Sequence, residues 1–169
     1  NYLTEQNPDV IAYHIALGDT QMLLRRYDEA NETYENAMEL FPRNVPVVIA
    51  YAERLLELEQ PEKAHAILLD LLNNVPPTPD QIRLIARAAN EAGESAESLY
   101  YLSEYRLMIG DLVGGIGYLQ QALRLPKLQE IQRIRFEARI DFIREFMSEE
   151  QLRRMQSSRP SGKTARNAL

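Results

Sequence analysis

The sequence predicts an all-α solenoid, a fold in which helical hairpins stack side by side along one axis. Its main sign is a period of about 34 residues, which separates Ala30 from Ala64 and Pro42 from Pro76. The residues around each pair fall into matching small, apolar and polar classes, which is typical of stacked helix-turn-helix repeats. No strand-like alternation of useful length appears, and Pro and Gly are confined largely to regular positions between helical stretches.

The first repeat has small residues where two helices must approach each other closely. Leu17 and Gly18 lie at the predicted crossing of its two helices, and Ala30 and Ala37 supply small residues on the second helix. Small residues at a crossing let the large side chains of the neighbouring helix interlock. Pro42 then ends the second helix, because its ring fixes φ and disfavours helical geometry at the residue before it.

The second repeat keeps the period but departs from this pattern, since Tyr51-Ala52 stands where the first repeat has Leu17-Gly18. A further copy of that pair, Leu102-Ser103, lies two and a half periods after the first, which is not a whole number of periods. The surplus of half a period equals one helix plus its turn. The sequence therefore predicts an unpaired helix at 79–92, which is inserted before the third repeat.

The spacing of apolar residues predicts about eight helices, and the last of them is expected to cap the solenoid with one polar face. In that helix Ile131, Ile134, Ala138, Ile140 and Ile143 are expected to share the buried face. The predicted helices cover 9–25, 28–41, 45–59, 61–73, 79–92, 96–109, 112–125 and 128–147. The predicted domain at 1–147 comprises repeats at 11–44, 45–78 and 96–126, the unpaired helix at 79–92 and a capping helix at 128–147.

Charge is distributed unevenly along the chain. The 169 residues carry a net charge of −6, but residues 151–169 hold five basic residues and no acid, which leaves −11 for residues 1–150. Residues 148–169 are therefore predicted to form the end of a helix and a mobile basic tail. Contact of this tail with anionic lipid, nucleic acid or the acidic body is the weaker alternative, and the acidic body disfavours nucleic acid as a partner.

The sequence offers little with which to build a catalytic or metal site. His14 and His65 lie on helices of different repeats, where a structural role is favoured for both, and no HExxH motif, Gly-rich phosphate loop or nucleophile elbow occurs. We therefore expect no enzyme activity, cofactor or metal in this chain. The absence of Cys excludes disulfides and is compatible with either the cytoplasm or an oxidising compartment.

No signal peptide or apolar span long enough to cross a membrane occurs in the sequence, so membrane insertion is not expected. The chain begins at Asn1 without an initiator Met. We therefore expect it to be a fragment of a longer protein.

The first repeat, from His14 through Asp28-Glu29-Ala30 to Pro42, resembles the tetratricopeptide (TPR) consensus. The resemblance implies a right-handed solenoid whose concave groove binds a protein or peptide, with the first helix of each hairpin lining the groove. Carrying the family's groove positions onto this sequence selects Ile15, Asp19 and Met22 in the first repeat, Ile49, Glu53 and Leu56 in the second, and Tyr100, Glu104, Leu107 and Met108 in the third. The unpaired helix would add Arg83 and Arg87.

These groove positions mix apolar, acidic and a few basic side chains. Such a wall suits an extended or helical peptide that is held by apolar side chains and positioned by polar ones. The alternative for each apolar residue is a plain role in the core between repeats. The TPR carboxylate clamp, which grips acidic chaperone termini through Lys, Arg and Asn, is disfavoured because Ile15, Asp19, Ile49 and Glu53 occupy its positions.

A narrower resemblance lies in the second half, in the stretches Leu99 to Leu112, Tyr118 to Leu125 and Arg135 to Asp141. They are similar to the carboxy-terminal TPR domain of bacterial periplasmic zinc metalloproteases, the β-barrel assembly-enhancing protease family. The resemblance implies that an amino-terminal domain outside this sequence holds zinc on an HExxH helix. It also implies a periplasmic location, and as partners the barrel-assembly machinery or its stalled substrates and the protease domain itself.

None of that family's zinc ligands can be assigned to this chain, and the basic tail after Met155 is not required by the family pattern. A second hypothesis therefore stays open, in which the chain is a freestanding TPR adaptor or scaffold with no linked enzyme and a cytoplasmic location. The residues before Asn1 would discriminate the two hypotheses.

Overall fold

The computed structural model describes Thr4 and residues 10–157, with side chains up to Arg153. Within these residues nine α-helices follow one another and no strand occurs, so the predicted all-α, TPR-like solenoid is confirmed. The helices are α1 (Ile11–Leu23), α2 (Tyr27–Leu40), α3 (Val45–Glu57), α4 (Pro61–Asn74), α5 (Pro79–Glu91), α6 (Ser95–Met108), α7 (Leu112–Ala122), α8 (Glu130–Glu145) and α9 (Glu149–Ser157).

The period continues without interruption into a third hairpin. Helices α1, α3 and α5 begin at Ile11, Val45 and Pro79, and helices α2, α4 and α6 begin at Tyr27, Pro61 and Ser95, so both series advance by exactly one period at each step. Helix α5 packs closely against α6, as α1 packs against α2 and α3 against α4. The prediction of an unpaired helix at 79–92 is therefore wrong, because this helix opens the third repeat.

The third repeat departs from the small-residue pattern at the crossing of its two helices. Ser98 stands where the first two repeats have Ala30 and Ala64, and its hydroxyl donates a 2.8 Å hydrogen bond to the carbonyl of Ala86 on α5. Because the hydroxyl is satisfied at the crossing, Ser98 is buried there as the two alanines are. The hydrogen bond thus replaces part of the apolar contact that defines the crossing in the other repeats.

The turns inside the first three hairpins share one backbone conformation. Arg25, Glu59 and Gly93 occupy the same position of successive repeats, and all three have positive φ, at 58°, 56° and 81°. A left-handed residue costs about 1–2 kcal/mol when it carries a side chain, and glycine avoids this cost. The same turn is therefore built three times, and glycine is used only in the third.

Helix α6 also packs closely against α7, so the predicted hairpin at 96–126 describes a real contact. Gly115 permits the approach, because a Cβ atom there would lie 2.8 Å from a methyl group of Leu107. By the period, however, α6 belongs with α5, and α7 with α8 forms a fourth, irregular repeat. Phe136 on α8 is fully buried at the position that Tyr34 and Leu68 occupy in the first two repeats.

The buried side chains form two clusters. The first runs through repeats one to three, where the stacked rings of Tyr34 and Tyr51 lie 5.1 Å apart and join the first repeat to the second. The second cluster lies between α7 and α8 and around the start of α9. Tyr100 contacts both clusters and so joins the third repeat to the fourth.

The predicted buried face of the last long helix is wrong in part. Ile140 and Ile143 are buried, but Ile131, Ile134 and Ala138 are exposed, because they lie on a different side of α8. Helix α8 therefore does not cap the solenoid with a polar face. Its sequence is apolar on two sides, and only one of them faces the core.

The chain beyond α8 also differs from the expected tail. Helix α8 ends at Glu145, and Ser148 starts the separate helix α9, because its hydroxyl accepts from the backbone N–H of Gln151 while the Gln151 side chain accepts from the backbone N–H of Ser148. Residues 158–169 lie outside the described residues, so the mobile basic tail stays a prediction there. The same holds for residues 1–3 and 5–9 of the predicted domain at 1–147.

We expect Gly18→Ala to destabilise the fold, because the added Cβ would lie 2.6–3.0 Å from carbons of the Tyr34 ring. That ring is held by its stacking on Tyr51, so relief requires a backbone shift, at a cost of about 1–3 kcal/mol. The measurement is the free energy of unfolding in urea. The matched control is Gly117→Ala on α7, where nothing lies within 4 Å of the added atom. An equal effect of both substitutions would contradict the close contact at Gly18.

We also expect the fold to lose stability at alkaline pH. Burial raises the pKa of Tyr101 to about 12, and burial is likewise the largest cause that raises the pKa of Tyr34, Tyr51 and Tyr100. Tyrosines of the unfolded chain ionise near pH 10, so above about pH 10 the unfolded chain loses protons that the folded chain retains. The free energy of unfolding should therefore fall as the pH rises above about 10.

Urea unfolding between about pH 8 and about pH 12 measures this loss, and the absorbance of tyrosinate follows the ionisation in a chain without Trp. In Tyr101→Phe the decline should be less steep, because one ionising group is removed. A free energy of unfolding that stays constant across this range would contradict the assignment.

Candidate functional site

The first helices of three repeats lie side by side and form one wall of the molecule. Helix α3 contacts α1 on one side and α5 on the other, and a cavity of about 460 Å³ opens between the three helices. We call this cavity the groove. Its lining residues are Ile15 on α1, Val45, Pro46, Ile49, Ala50 and Glu53 on α3, and Asp80, Gln81 and Leu84 on α5, together with Thr78 before α5.

The floor of the groove is apolar and its rim is acidic. Ile15, Ile49 and Leu84 are half-buried, so part of each side chain remains available to a ligand. Glu53 and Asp80 are exposed on the same lining. The arrangement can hold an apolar side chain while the carboxylates attract a basic or hydrogen-bond-donating group.

Three of the twelve residues predicted from the sequence, Ile15, Ile49 and Glu53, line this groove. The other seven lining residues, Leu84 and Gln81 among them, were missed, because the family positions carried onto α5 selected Arg83 and Arg87 instead. The period gave no signal for Leu84, since it lies one period after Ala50, which was not predicted either.

Arg83 and Arg87 stand one period after Ile49 and Glu53, so they occupy the equivalent positions on α5. Both side chains are more than half exposed. The Arg83 guanidinium lies 5.7 Å from the centre of the Tyr105 ring, and the Arg87 Nε lies 2.7 Å from Glu91. Charge at these positions changes from acidic at Glu53 to basic on α5, but α5 as a whole is neutral because Arg83 lies 3.8 Å from Asp80 and Arg87 pairs with Glu91. Neither arginine lines the groove itself.

Asp19 and Met22 lie in a neighbouring cavity rather than in the groove. This second cavity, also of about 460 Å³, is formed where α1, α2 and α3 meet, and Tyr27, Arg54 and Glu57 line it as well. Asp19 accepts a 2.7 Å hydrogen bond from the Tyr34 hydroxyl and lies 3.5 Å from Nε of Arg54. Asp19 thus stabilises the buried Tyr34 through this hydrogen bond.

Leu56 is only 4% exposed and belongs to the first cluster. It cannot reach a ligand in the groove, so its expected groove role is wrong and the alternative core role holds.

A second polar network joins the first two repeats. Tyr51 donates a 3.2 Å hydrogen bond to Glu35, and the Lys63 ammonium pairs with the same carboxylate. The hydrogen bond from Lys63 is the main cause that lowers the pKa of Glu35. These residues lie on α2, α3 and α4, so the network stabilises the stacking and does not enter the groove.

The predicted third set of groove residues lies elsewhere. Tyr100 stacks on Phe136 at 5.6 Å between ring centres, and the Arg135 guanidinium lies 4.5 Å from the centre of the Tyr100 ring. Glu104 pairs with Arg139 of α8 through two hydrogen bonds of 2.8 and 2.6 Å. Tyr100 and Glu104 therefore face α8, because α6 is the second helix of its repeat and not the first.

The two remaining members of that set lie near α7. Leu107 packs against the second cluster, and Met108 ends α6 with 43% of its surface exposed. Neither lines the groove, so the assignment of the third set as groove residues is wrong as a whole.

A second ion pair strengthens the contact between α6 and α8. Glu97 accepts hydrogen bonds from Arg135, both at 2.6 Å, and from the Gln132 amide at 2.8 Å. The exposed fraction of the Glu97 side chain is 18% and that of Glu104 is 21%, so both carboxylates are shielded from bulk water. We therefore expect these pairs to contribute more to stability than fully exposed surface ion pairs.

The two histidines pack edge-on against aromatic rings. The ring of His14 lies 5.8 Å from that of Phe41, and the ring of His65 lies 5.9 Å from that of Tyr101. Over the part of the chain that the structure describes, no group of three His, Cys, Asp or Glu side chains is placed to hold a metal ion. No helix in that part is both long and apolar enough to span a bilayer.

The tetratricopeptide repeat family matches residues 21–88, from the end of α1 through most of α5. The match covers somewhat less than half of the chain and supports a TPR domain with a role in protein–protein interaction. No curated protein matches the sequence.

We expect the Glu104–Arg139 pair to contribute measurably to stability. A double-mutant cycle with Glu104→Gln and Arg139→Gln should give a coupling free energy of about 1 kcal/mol, because two charge-assisted hydrogen bonds are lost together. The control cycle uses Glu130 and Arg133, an exposed pair 3.7 Å apart, for which we expect almost no coupling. Equal coupling in the two cycles would show that the contact between α6 and α8 does not depend on the shielded pair.

Proposed function

We propose that this chain is a non-catalytic recognition domain that binds a segment of another polypeptide in the groove between α1, α3 and α5. One observation carries the proposal, namely that the first helices of three consecutive repeats share a cavity with an apolar floor and an acidic rim. A surface of this kind binds peptides by burying apolar side chains, while polar contacts fix their register. The match of this region to the tetratricopeptide repeat family supports the same role.

The chemistry of the groove favours a particular kind of segment. An apolar side chain would contact Ile15, Ile49 and Leu84, and a neighbouring Lys or Arg would lie near Glu53. An acidic residue farther along the segment would lie near Arg83, which is 61% exposed and lies 3.8 Å from Asp80 of the rim. The preferred ligand is therefore a peptide with mixed charge around an apolar anchor.

We further propose that the chain is the recognition domain of a periplasmic zinc metalloprotease, whose catalytic zinc domain would lie outside this sequence. The support is the resemblance of residues 99–141 to that family. On this hypothesis the partners are the outer-membrane barrel-assembly machinery or its stalled substrates, and the protease domain of the same protein. The alternative is a freestanding TPR adaptor or scaffold in the cytoplasm, which the match of residues 21–88 supports equally well.

Photo-crosslinking in native cells tests the groove. A photoreactive residue at Glu53, which is exposed on the rim, should capture a partner. The same residue at Ala66, which is exposed on α4 and outside the groove lining, should not capture it and is the matched control. Ile49→Asp should reduce the yield at Glu53 several-fold, because a carboxylate in the apolar floor disfavours an apolar anchor.

Circular dichroism of Ile49→Asp shows whether the helices persist. Barrel-assembly components or unfolded outer-membrane proteins, captured only from the groove, would support the periplasmic role. Capture of cytoplasmic proteins alone would exclude that role and leave the adaptor. Equal capture at Glu53 and Ala66 would exclude the groove as the binding site.

A further inference from the structure

The second cavity continues the groove along the same two helices. On α1, Ile15 lines the groove, and Asp19, which lies one turn later, lines the second cavity. On α3, Glu53 lines the groove, and Glu57, again one turn later, lines the second cavity. Residues four positions apart lie on one face of a helix. The two cavities are therefore consecutive along one face of the α1 and α3 pair.

The second cavity has an apolar part that is open to solvent. Leu23 is 85% exposed and Tyr27 is 42% exposed. Met22 and Leu58 line the same cavity and are partly buried. A ligand can therefore contact apolar side chains in this cavity as it can in the groove.

The fold does not require this apolar surface. Leu23 and Tyr27 flank the turn of the first hairpin, and the second and third hairpins have the same turn. Those two hairpins have other residues at the equivalent positions, namely Glu57 and Pro61 in the second and Glu91 and Ser95 in the third. Because the turn forms there without an exposed leucine or tyrosine, folding does not account for the pair in the first repeat.

Carboxylates lie between the two apolar surfaces. Asp19, Glu53 and Glu57 surround Arg54, and the shortest distances to its guanidinium nitrogens are 3.5, 3.8 and 2.8 Å. Three carboxylates against one guanidinium leave a net charge of −2, and each carboxylate side chain is about half exposed. A basic side chain of a ligand is therefore attracted to the space between the two cavities.

We infer that the groove and the second cavity together bind one extended polypeptide segment through two apolar side chains, four positions apart, with Lys or Arg midway between them. The inference rests on the proposed function of the groove and adds the second cavity to it. Ile15 and Leu23 are eight residues apart on α1, which corresponds to about 12 Å. In an extended segment every second side chain lies on the same side, and four positions span about 13 Å. The two spacings agree.

The middle of such a segment lies at the carboxylates. Asp19 stands halfway between Ile15 and Leu23 on α1, and Glu53 occupies the equivalent position on α3. The side chain two positions after the first apolar one would therefore lie near both carboxylates. The pattern is symmetric about its basic residue, so the inference holds for either direction of the bound segment.

Fluorescence polarisation with labelled heptapeptides tests the inference on the full chain. The probe is Ser-Leu-Ser-Arg-Ser-Leu-Ser. The matched control peptide is Ser-Leu-Ser-Arg-Leu-Ser-Ser, which has the same composition but places its second leucine on the opposite side of an extended segment. We expect the probe to bind at least about tenfold more tightly than the control peptide, because the control peptide loses the burial of one leucine side chain.

Substitutions in the chain separate the two cavities. Leu23→Ser combined with Tyr27→Ser should weaken binding of the probe roughly tenfold and leave binding of the control peptide unchanged. Both side chains are exposed, so circular dichroism should show unchanged helicity. The matched control variant is Ile131→Ser combined with Phe142→Ser, an exposed apolar pair on α8, which should bind both peptides as the original chain does.

Equal affinity of the original chain for the two peptides would overturn the inference, as would an equal loss for both peptides in the Leu23 and Tyr27 variant. If Ile49→Asp abolishes binding while that variant has no effect, the groove binds the segment without the second cavity, and the proposed function stands alone. Failure of both peptides to bind at millimolar concentration would also overturn the inference. Capture from Glu53 then decides the proposed function separately.

Discussion

The close contact between the two helices of each repeat is the constraint on which the rest of the structure depends. At the crossing a small residue of the first helix, Gly18, Ala52 or Ala86, lies against the second helix. The contact is tightest in the first repeat, where the Tyr34 ring leaves no room for a Cβ on Gly18. Because the first three hairpins have a small residue at the crossing and the same turn, their first helices come to lie side by side. The groove results from that stacking.

The carboxy-terminal part of the fold is held by different interactions. Between α6 and α8, the carboxylates of Glu97 and Glu104 pair with arginines, and the Tyr100 ring stacks between them on Phe136. These contacts place α8 across α6 and turn its second apolar side outward. The side chains that were predicted to line a groove thus serve to join two repeats, and a new exposed surface results from the way in which they do so.

The two exposed surfaces differ in character and lie on different helices. The groove combines a half-buried apolar floor with acidic residues such as Glu53, which suits a polypeptide segment that carries both an apolar anchor and basic groups. The outer face of α8, formed by Ile131, Ile134, Ala138, Phe142 and Phe146, is apolar and exposed.

The sequence by itself determined most of the helices and the period of the first two repeats, because these follow from local patterns of small, apolar and breaking residues. The resemblance to the TPR consensus, rather than a local pattern, selected Ile15, Ile49 and Glu53, which line the groove. Only the tertiary structure decided the pairing of α5 with α6. Ser98 stands where the first two repeats have alanine, and its hydroxyl is buried because it donates a hydrogen bond to the carbonyl of Ala86. The tertiary structure also decided which isoleucines of α8 are buried. Helix α8 is apolar on two sides, and its packing against the neighbouring helices determines which of the two sides is buried.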